Sequence, residues 1–414
     1  MNTPRPTTLL TLDEALARLL GAVQPLAGTE SISTFDALGR VMAADLCSIV
    51  DVPSADNSAM DGYALRSADV PAPGTVLQVS QRIPAGVVGT ALRPGTAARI
   101  FTGALVPEGA DAVVMQEQCE ALDGAVRINA VPSPGQSVRR RGEDLSHGAV
   151  ALPRGTRLTP QALGLAATAG AAMLTVARRP RVALFSTGDE LAMPGEPLKP
   201  GAIYNSNRFT LRALIQSLGC ECTDFGIVPD QLTATREALR KAAQGHDVIV
   251  TSGGVSVGEE DHLKPAVQAE GALELWQIAI KPGKPLAFGS VRRPEGDAMG
   301  EKAWFVGLPG NPVSSFITFL LAVRPLLLHL QGASPQAPQG VPLRADFDWP
   351  RADKRREFLR VRRNDTGGVE LFNNQGSGVL TSTVWADGVV DNPPDHPIRA
   401  GDSVRFIALA EWVA

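Results

Sequence analysis

Residues 247–261 read Asp247-Val-Ile-Val-Thr-Ser-Gly-Gly-Val-Ser-Val-Gly-Glu-Glu-Asp261. An apolar run ends on two hydroxyl residues and two adjacent glycines, and carboxylates follow. The run from Asp247 to Val250 reads as a buried strand. Glycine carries no Cβ, so the backbone at Gly253 and Gly254 can come close to a ligand. Backbone N–H groups turned outward in such a loop can hold phosphate. The acids beyond it oppose that: two like unit charges about 4 Å apart repel by roughly 4 kcal/mol at an effective dielectric near 20. Mg²⁺ removes the conflict, because it takes oxygen ligands and bridges carboxylates to phosphates. The junction therefore predicts a phosphorylated ligand bound through Mg²⁺.

The same texture extends over residues 181–330. Strands are expected at Arg181–Ser186, Thr223–Val228, Asp247–Thr251, Leu275–Ile280, Pro285–Phe288 and Trp304–Val306. Helices are expected at Asn207–Leu218, Ala234–Ala243, Leu263–Glu270 and Pro312–Leu330. This alternation specifies an α/β domain with a mostly parallel sheet and right-handed crossovers. Ligands in such sheets bind outside the carboxyl ends of the strands.

The loops expected on that edge carry chemistry. Ser186-Thr187-Gly188-Asp189-Glu190 offers hydroxyls and acids, and Asp230 follows a strand. The Gly-Gly loop adds Ser252, Ser256, Val257, Gly258, Glu259, Glu260 and Asp261. Lys281-Pro-Gly-Lys284 supplies two cations, and Gly307-Leu-Pro309-Gly-Asn311-Pro312-Val-Ser314 opens a helix whose positive end favours anions. Singly, each is an ordinary turn or cap. Their convergence on one sheet edge is what points to a metal-dependent phosphoanhydride site.

Outward from this domain, Thr11-Leu-Asp-Glu14 forms a capping box before the stripe Leu12, Leu16, Leu19 and Leu20. Short β-branched pieces from about Cys47 to Arg141 predict a small β domain. Thr159-Pro160 then starts an Ala-rich helix that would pack on the first. A Pro- and Gly-containing linker at 331–340 precedes strands of a second β domain. The expected organisation is a helical stem at 1–46 plus 147–180, an inserted β domain at 47–146, the α/β domain at 181–330 and a C-terminal β domain at 331–414.

A chain of 414 residues is long enough for several cores. Its net charge of −4 and 5% aromatic content argue against nucleic-acid and lipid-surface binding. Cys47, Cys119, Cys220 and Cys222 form no CxxC pair, so neither zinc nor a disulfide framework is expected, and a reduced cytoplasmic setting is. Phe316–Leu330 is apolar but holds Arg324, Pro325 and His329, which fits a buried helix rather than a membrane span.

Taken together, the strings Asp56–Ala64, Phe101–Ala104, Arg140–Asp144, Ser186–Leu191, Thr251–Asp261, Lys281–Pro285, Gly307–Ser314 and Gly376–Gly378 closely resemble the molybdopterin molybdenumtransferase family, which includes the E domain of gephyrin. The resemblance implies a molybdopterin-binding α/β domain within an elongated four-part homodimer. It also implies a reaction: molybdate enters adenylylated molybdopterin and AMP is released with the help of Mg²⁺, the substrate coming from a molybdopterin adenylyltransferase. By carry-over, Glu190, Asp230 and Asp261 are the metal and phosphate-side acids, and Lys281 and Lys284 clamp an anion. Asp61, Thr102 and Asp144 contribute to the site, reaching across the dimer, and Ser377 is a peripheral contact. A nucleotide pyrophosphatase of the competence-damage-protein type is one rival, although its Gly-Gly loop continues Leu-Gly-Pro-Thr and it would leave Asp56–Ala64 unexplained. The pathway's adenylyltransferase, which shares the α/β domain but is much shorter, is a second, and a non-catalytic molybdenum-cofactor carrier is a third.

Overall fold

A computed structural model describes residues 9–255, 262–297, 299–335 and 337–413, without the side chains of 275, 276 and 413. The capping box forms as its spacing requires. Thr11 Oγ1 accepts the Glu14 N–H at 3.2 Å while Glu14 Oε2 accepts the Thr11 N–H at 2.9 Å, opening the helix Leu12–Ala22. Its apolar stripe has a different partner from the one expected. Leu12, Ala15 and Leu19 join the core of the α/β unit with Leu326 and Leu327, whereas the helix Pro160–Thr168 packs on Ala37, Met42 and Leu158 in a separate core. The stem is closed by strands instead of by a helix pair. Thr29–Ser33 runs antiparallel to Met173–Ala177, and Leu46–Cys47 to Val150–Leu152, so the chain leaves and re-enters the stem side by side.

The inserted region is a six-stranded sheet ordered Ala112–Met115, Gly62–Leu65, Thr96–Ile100, Thr75–Ile83, Ala125–Ile128 and Cys119–Leu122. The second of these was not expected, because the polar run before it masks a wholly buried strand. Gly62 permits the packing, since a Cβ there would lie 2.0 Å from the Val114 carbonyl oxygen.

The central sheet is ordered Glu221–Val228, Arg181–Thr187, Val248–Ser252, Lys302–Leu308, Pro285–Arg292 and Gly271–Gln277. The first four strands are parallel, Pro285–Arg292 runs antiparallel to both of its neighbours, and Gly271–Gln277 again points the same way as the first four. The mostly parallel sheet that was expected is thus mixed at one edge. The reason is local: only residues 278–284 join Gly271–Gln277 to Pro285–Arg292, and a parallel pair needs a longer crossover. Alternate strand residues face opposite layers. Val182, Leu184, Val250 and Leu308 meet the long helix from Pro312, and Ala183, Phe185, Ile249 and Phe305 meet the helices Leu232–Ala243 and Leu263–Glu270. Asp247, almost fully buried below the third strand, takes a two-pronged bond from Arg178 at 2.7 and 2.8 Å.

The helix expected at 312–330 is continuous but widens to a π-helix at Phe319–Val323, just before Pro325 removes a backbone donor. It is the one described helix long and apolar enough to cross a membrane, and most of it is buried inside the fold. The C-terminal strands Arg356–Arg363, Gly368–Leu371, Val341–Ala345, Ser403–Ala408 and Gly388–Asn392 close into a ring. Strand Ile280–Lys281 of the central region adds to it, pairing parallel with Arg356 and Glu357. The four cysteines are free thiols.

Candidate active site

In the central sheet the chain passes from Arg181–Thr187 outward to Glu221–Val228, then back across to Val248–Ser252 on the other side. Strand order reverses between the first and third of these, which places a crevice at their carboxyl ends. Ser186 and Ser252 tie the two strand ends together, their buried hydroxyl oxygens 3.1 Å apart. Beyond them Gly253 and Gly254 adopt φ of +91° and +65°. A Cβ on Gly253 would stand 2.5 Å from the Thr187 carbonyl, so only glycine lets this loop lie against the first strand.

A cleft of about 610 Å³ opens there. Thr187, Gly188, Glu190, Asp230, Ser252, Gly253, Gly254, Pro309, Asn311 and Pro312 line it. Ser186 lies buried directly beneath. Glu190 and Asp230, two of the three acids expected to meet, thus share one cavity. The Asp230 N–H donates to Asp189 Oδ1 at 3.1 Å, which joins the first two loops. Ser377 is also close: its carbonyl accepts the Val313 N–H at 2.9 Å, its hydroxyl accepts from Asn311 Nδ2 at 3.0 Å, and Gly378 completes the rim.

One wall was missed. Residues Ile203–Asn207 line the cleft, although of these the sequence singled out only Asn207, as the start of an expected helix. Asn205 Oδ1 caps that helix by accepting the Arg208 N–H at 3.1 Å, which fixes which end of the amide is free. Its Nδ2 is buried without a hydrogen-bond partner among the described residues, and so is Thr187 Oγ1. Buried polar atoms are nearly always satisfied, so such a pair in one cleft marks a place where a ligand or water completes the bonding. Asn207 Nδ2 donates to the Gly310 carbonyl at 2.7 Å and holds the opposite wall. The signal available in the sequence was the Asn-Ser-Asn run at the start of a helix on this edge.

Other expected residues lie elsewhere. Lys281 and Lys284 stand outside the cleft lining. Lys281 turns toward the C-terminal sheet, its Nζ 3.1 Å from Glu357 Oε1 and 3.4 Å from Asp353 Oδ2, and Lys284 is exposed. Asp61, Thr102 and Asp144 belong to the inserted region, none of whose described residues lines this chain's cleft. There the Thr102 N–H and hydroxyl donate to Asp61 Oδ1 at 2.8 and 2.7 Å, and they hold the Asp61 carboxyl below the usual carboxylate range. The Asp144 N–H donates to the Val52 carbonyl. Ser256, Val257, Gly258 and Asp261 lie outside the described residues. Among the described residues no cluster of three or more His, Cys, Asp or Glu is arranged to hold a metal. Glu190 and Asp230 are nonetheless an oxygen-only pair beside hydroxyls and glycines, a donor set that suits Mg²⁺, which takes one or two carboxylates and completes its shell with phosphate and water.

Three family patterns cover the chain in succession. The MoeA N-terminal region (domain I and II) matches residues 10–170, a probable molybdopterin binding domain residues 183–329, and the MoeA C-terminal region (domain IV) residues 342–409. The molybdopterin molybdenumtransferase of Haemophilus influenzae is 40% identical over 405 residues, covering 96% of this chain and 98% of the relative. That of a Nostoc species is 36% identical, covering 92% and 89%. The crystal structure of the molybdopterin biosynthesis moeA protein from Pyrococcus horikoshii OT3 superposes with a TM-score of 0.81 at 30% identity, covering 97% of this chain and all of that one.

Proposed function

The chain belongs to the molybdopterin molybdenumtransferase family, an enzyme of molybdenum cofactor biosynthesis, and from that premise we propose that its cleft binds adenylylated molybdopterin, accepts molybdate and releases AMP. The observation that carries this reading is the meeting of Glu190, Asp230, Gly253 and Gly254 in one cavity at the reversal of the central sheet. A diphosphate needs close backbone approach and charge compensation together: Gly253 and Gly254 allow the first, and Glu190 and Asp230 would hold the Mg²⁺ that supplies the second.

Glu190 and Asp230 would hold Mg²⁺, joined by Asp261 as the family resemblance implies. The ion would supply positive charge to offset the diphosphate and its developing oxyanion. The glycines let the ligand's oxygens reach the backbone. Asn205 Nδ2 and Thr187 Oγ1 are available to donate to an oxygen of the ligand. Pro309 and Pro312 stiffen the facing wall, and Ser377 buttresses it from a turn of the C-terminal region. No side chain need become covalent: water adds to the adenylate phosphorus, either directly or after a molybdate oxygen has displaced the phosphate of molybdopterin, so that the bridging P–O bond breaks and AMP leaves. The two dithiolene thiols bond molybdenum in place of one oxo group, which departs as water with their two protons.

Asp61, Thr102 and Asp144 serve the cleft of a second subunit in this reading, which makes the enzyme a homodimer. Support comes from the cleft of a single chain, whose lining draws on the central and C-terminal regions alone among the described residues. A molybdopterin adenylyltransferase supplies the substrate, in a reducing cytoplasm that suits four free thiols.

The test is to incubate the purified protein with adenylylated molybdopterin, molybdate and Mg²⁺ and to measure AMP. Release that requires molybdate is the expected result. Release at the same rate without molybdate would identify a pyrophosphatase, and tight binding without AMP a carrier.

A further inference from the structure

Lys281 is the residue whose surroundings fit its expected work least. An anion clamp needs an ammonium with unspent charge, and this one is already engaged. Strand Ile280–Lys281 lies in register with Arg356 and Glu357, so the ammonium sits directly beside the Glu357 carboxylate. Glu357 is fully buried while Lys281 is 37% exposed, so the acid is the fixed partner and the lysine the adjustable one. The other oxygen of Glu357 is held by Trp349 Nε1 at 2.8 Å and by the Asp353 N–H at 3.2 Å. Asp353, the second acid near Lys281, is itself gripped by Arg355 through two 2.9 Å contacts.

The charges of this group cancel: Lys281 and Arg355 against Asp353 and Glu357. A tetrahedral dianion approaching Lys281 therefore meets a neutral cluster. If Glu357 is made neutral, the cluster carries one positive charge. We propose that Glu357 is the resident counter-ion of Lys281 and sets its oxyanion affinity, so that docking of the C-terminal sheet and binding of a molybdate-like dianion compete for one ammonium. The inference rests on the reading of Lys281 as the oxyanion clamp. It deepens that reading by naming a residue, outside the cleft, that governs when the clamp is available. A buried carboxylate does not readily give up the cation in direct contact with it. Occupancy of the clamp by an anion must then weaken the hold of the central region on strand Arg356–Arg363, and by linkage the reverse is also true.

Sodium molybdate titrated calorimetrically into the full-length protein tests this directly. Glu357→Gln keeps the shape and the acceptor for Trp349, and it is expected to bind molybdate roughly tenfold more tightly than the parent protein, within the usual range of couplings between sites. A role confined to structure would weaken binding or leave it alone. Glu357→Asp should restore near-parental affinity, and Lys281→Ala should abolish binding in either background. If Lys281→Ala removes binding but Glu357→Gln leaves it unchanged or weaker, the counter-ion inference is overturned while the clamp stands. If Lys281→Ala binds molybdate as well as the parent does, the clamp itself is wrong and the inference falls with it. Should Glu357→Gln fail to fold, hydrogen exchange on the parent protein decides: amides of Arg356–Arg363 exchange faster with saturating molybdate, and no change overturns the inference.

Discussion

Glu190 and Asp230 come from loops forty residues apart, yet they face one cavity, and neither contributes to a hydrophobic core. Their removal should be felt in chemistry and not in folding. Glu190→Ala and Asp230→Asn are each expected to lower molybdate-dependent AMP release by about a hundredfold or more, the scale of losing one charge-stabilising group. Thermal unfolding should stay within about a degree or two of the parent, as for other surface substitutions. Parental turnover in both variants would remove the acids from the mechanism. Glycines offer a sharper residue-level contrast. Gly62→Ala must place a methyl 2.0 Å from the Val114 carbonyl oxygen inside a sheet, and should cost about 3 kcal/mol. Gly164→Ala, in the helix Pro160–Thr168 with nothing within 4 Å, should instead gain about 0.5–1 kcal/mol. Chemical denaturation of the two variants reads both signs.

At the level of elements, the inserted region carries its own pH signature. Backbone N–H groups of His147, Arg141 and Thr102 hold the Asp51, Asp56 and Asp61 carboxyls below their ordinary range. A carboxyl that is more acidic in the folded chain contributes fully above its unfolded pKa, about 3.9 for Asp, and loses that contribution as the pH falls through the folded value. Thermal unfolding scanned from about pH 5 down to about pH 3 should show the inserted sheet weakening, and Asp61→Asn should flatten that dependence. An unchanged slope in that variant would detach Asp61 from the effect. The same region shows what the sequence exposes and what it hides. Strands bounded by Pro and Gly, the capping box at Thr11 and the α/β alternation were legible, because periodicity and caps are local signals. Gly62–Leu65 was hidden by its polar approach, and the antiparallel edge Gly271–Arg292 by a connection whose brevity carries no composition of its own. In the site, the acids and glycines of the βα loops were legible as chemistry. The Ile203–Asn207 wall and the pairing of Lys281 with Glu357 were not, since both depend on which distant segment the fold brings opposite.

Over the whole molecule, the cleft and the motif residues of the inserted region belong to different parts of one chain. If a neighbouring subunit brings them together, two inactive variants should repair one another. Asp61→Asn mixed with Glu190→Ala, after dissociation and reassociation, is expected to regain about a quarter of parental AMP release, because heterodimers form in half the assemblies and hold one intact site each. No recovery would confine each active site to its own chain. The ring-shaped C-terminal sheet raises a separate matter, its portability. Phe358, Val389, Ile407 and Trp412 pack into the same core as Leu19 and Leu327, and the Arg356 N–H donates to the Ala279 carbonyl. A chain cut after Leu330 would uncover that apolar seam and leave the edge at Ile280–Lys281 without a neighbour, an invitation to self-association. A free-standing version of the central unit would therefore have to rewrite these positions with polar residues; the fourth part is an integral wall of the fold rather than a detachable accessory.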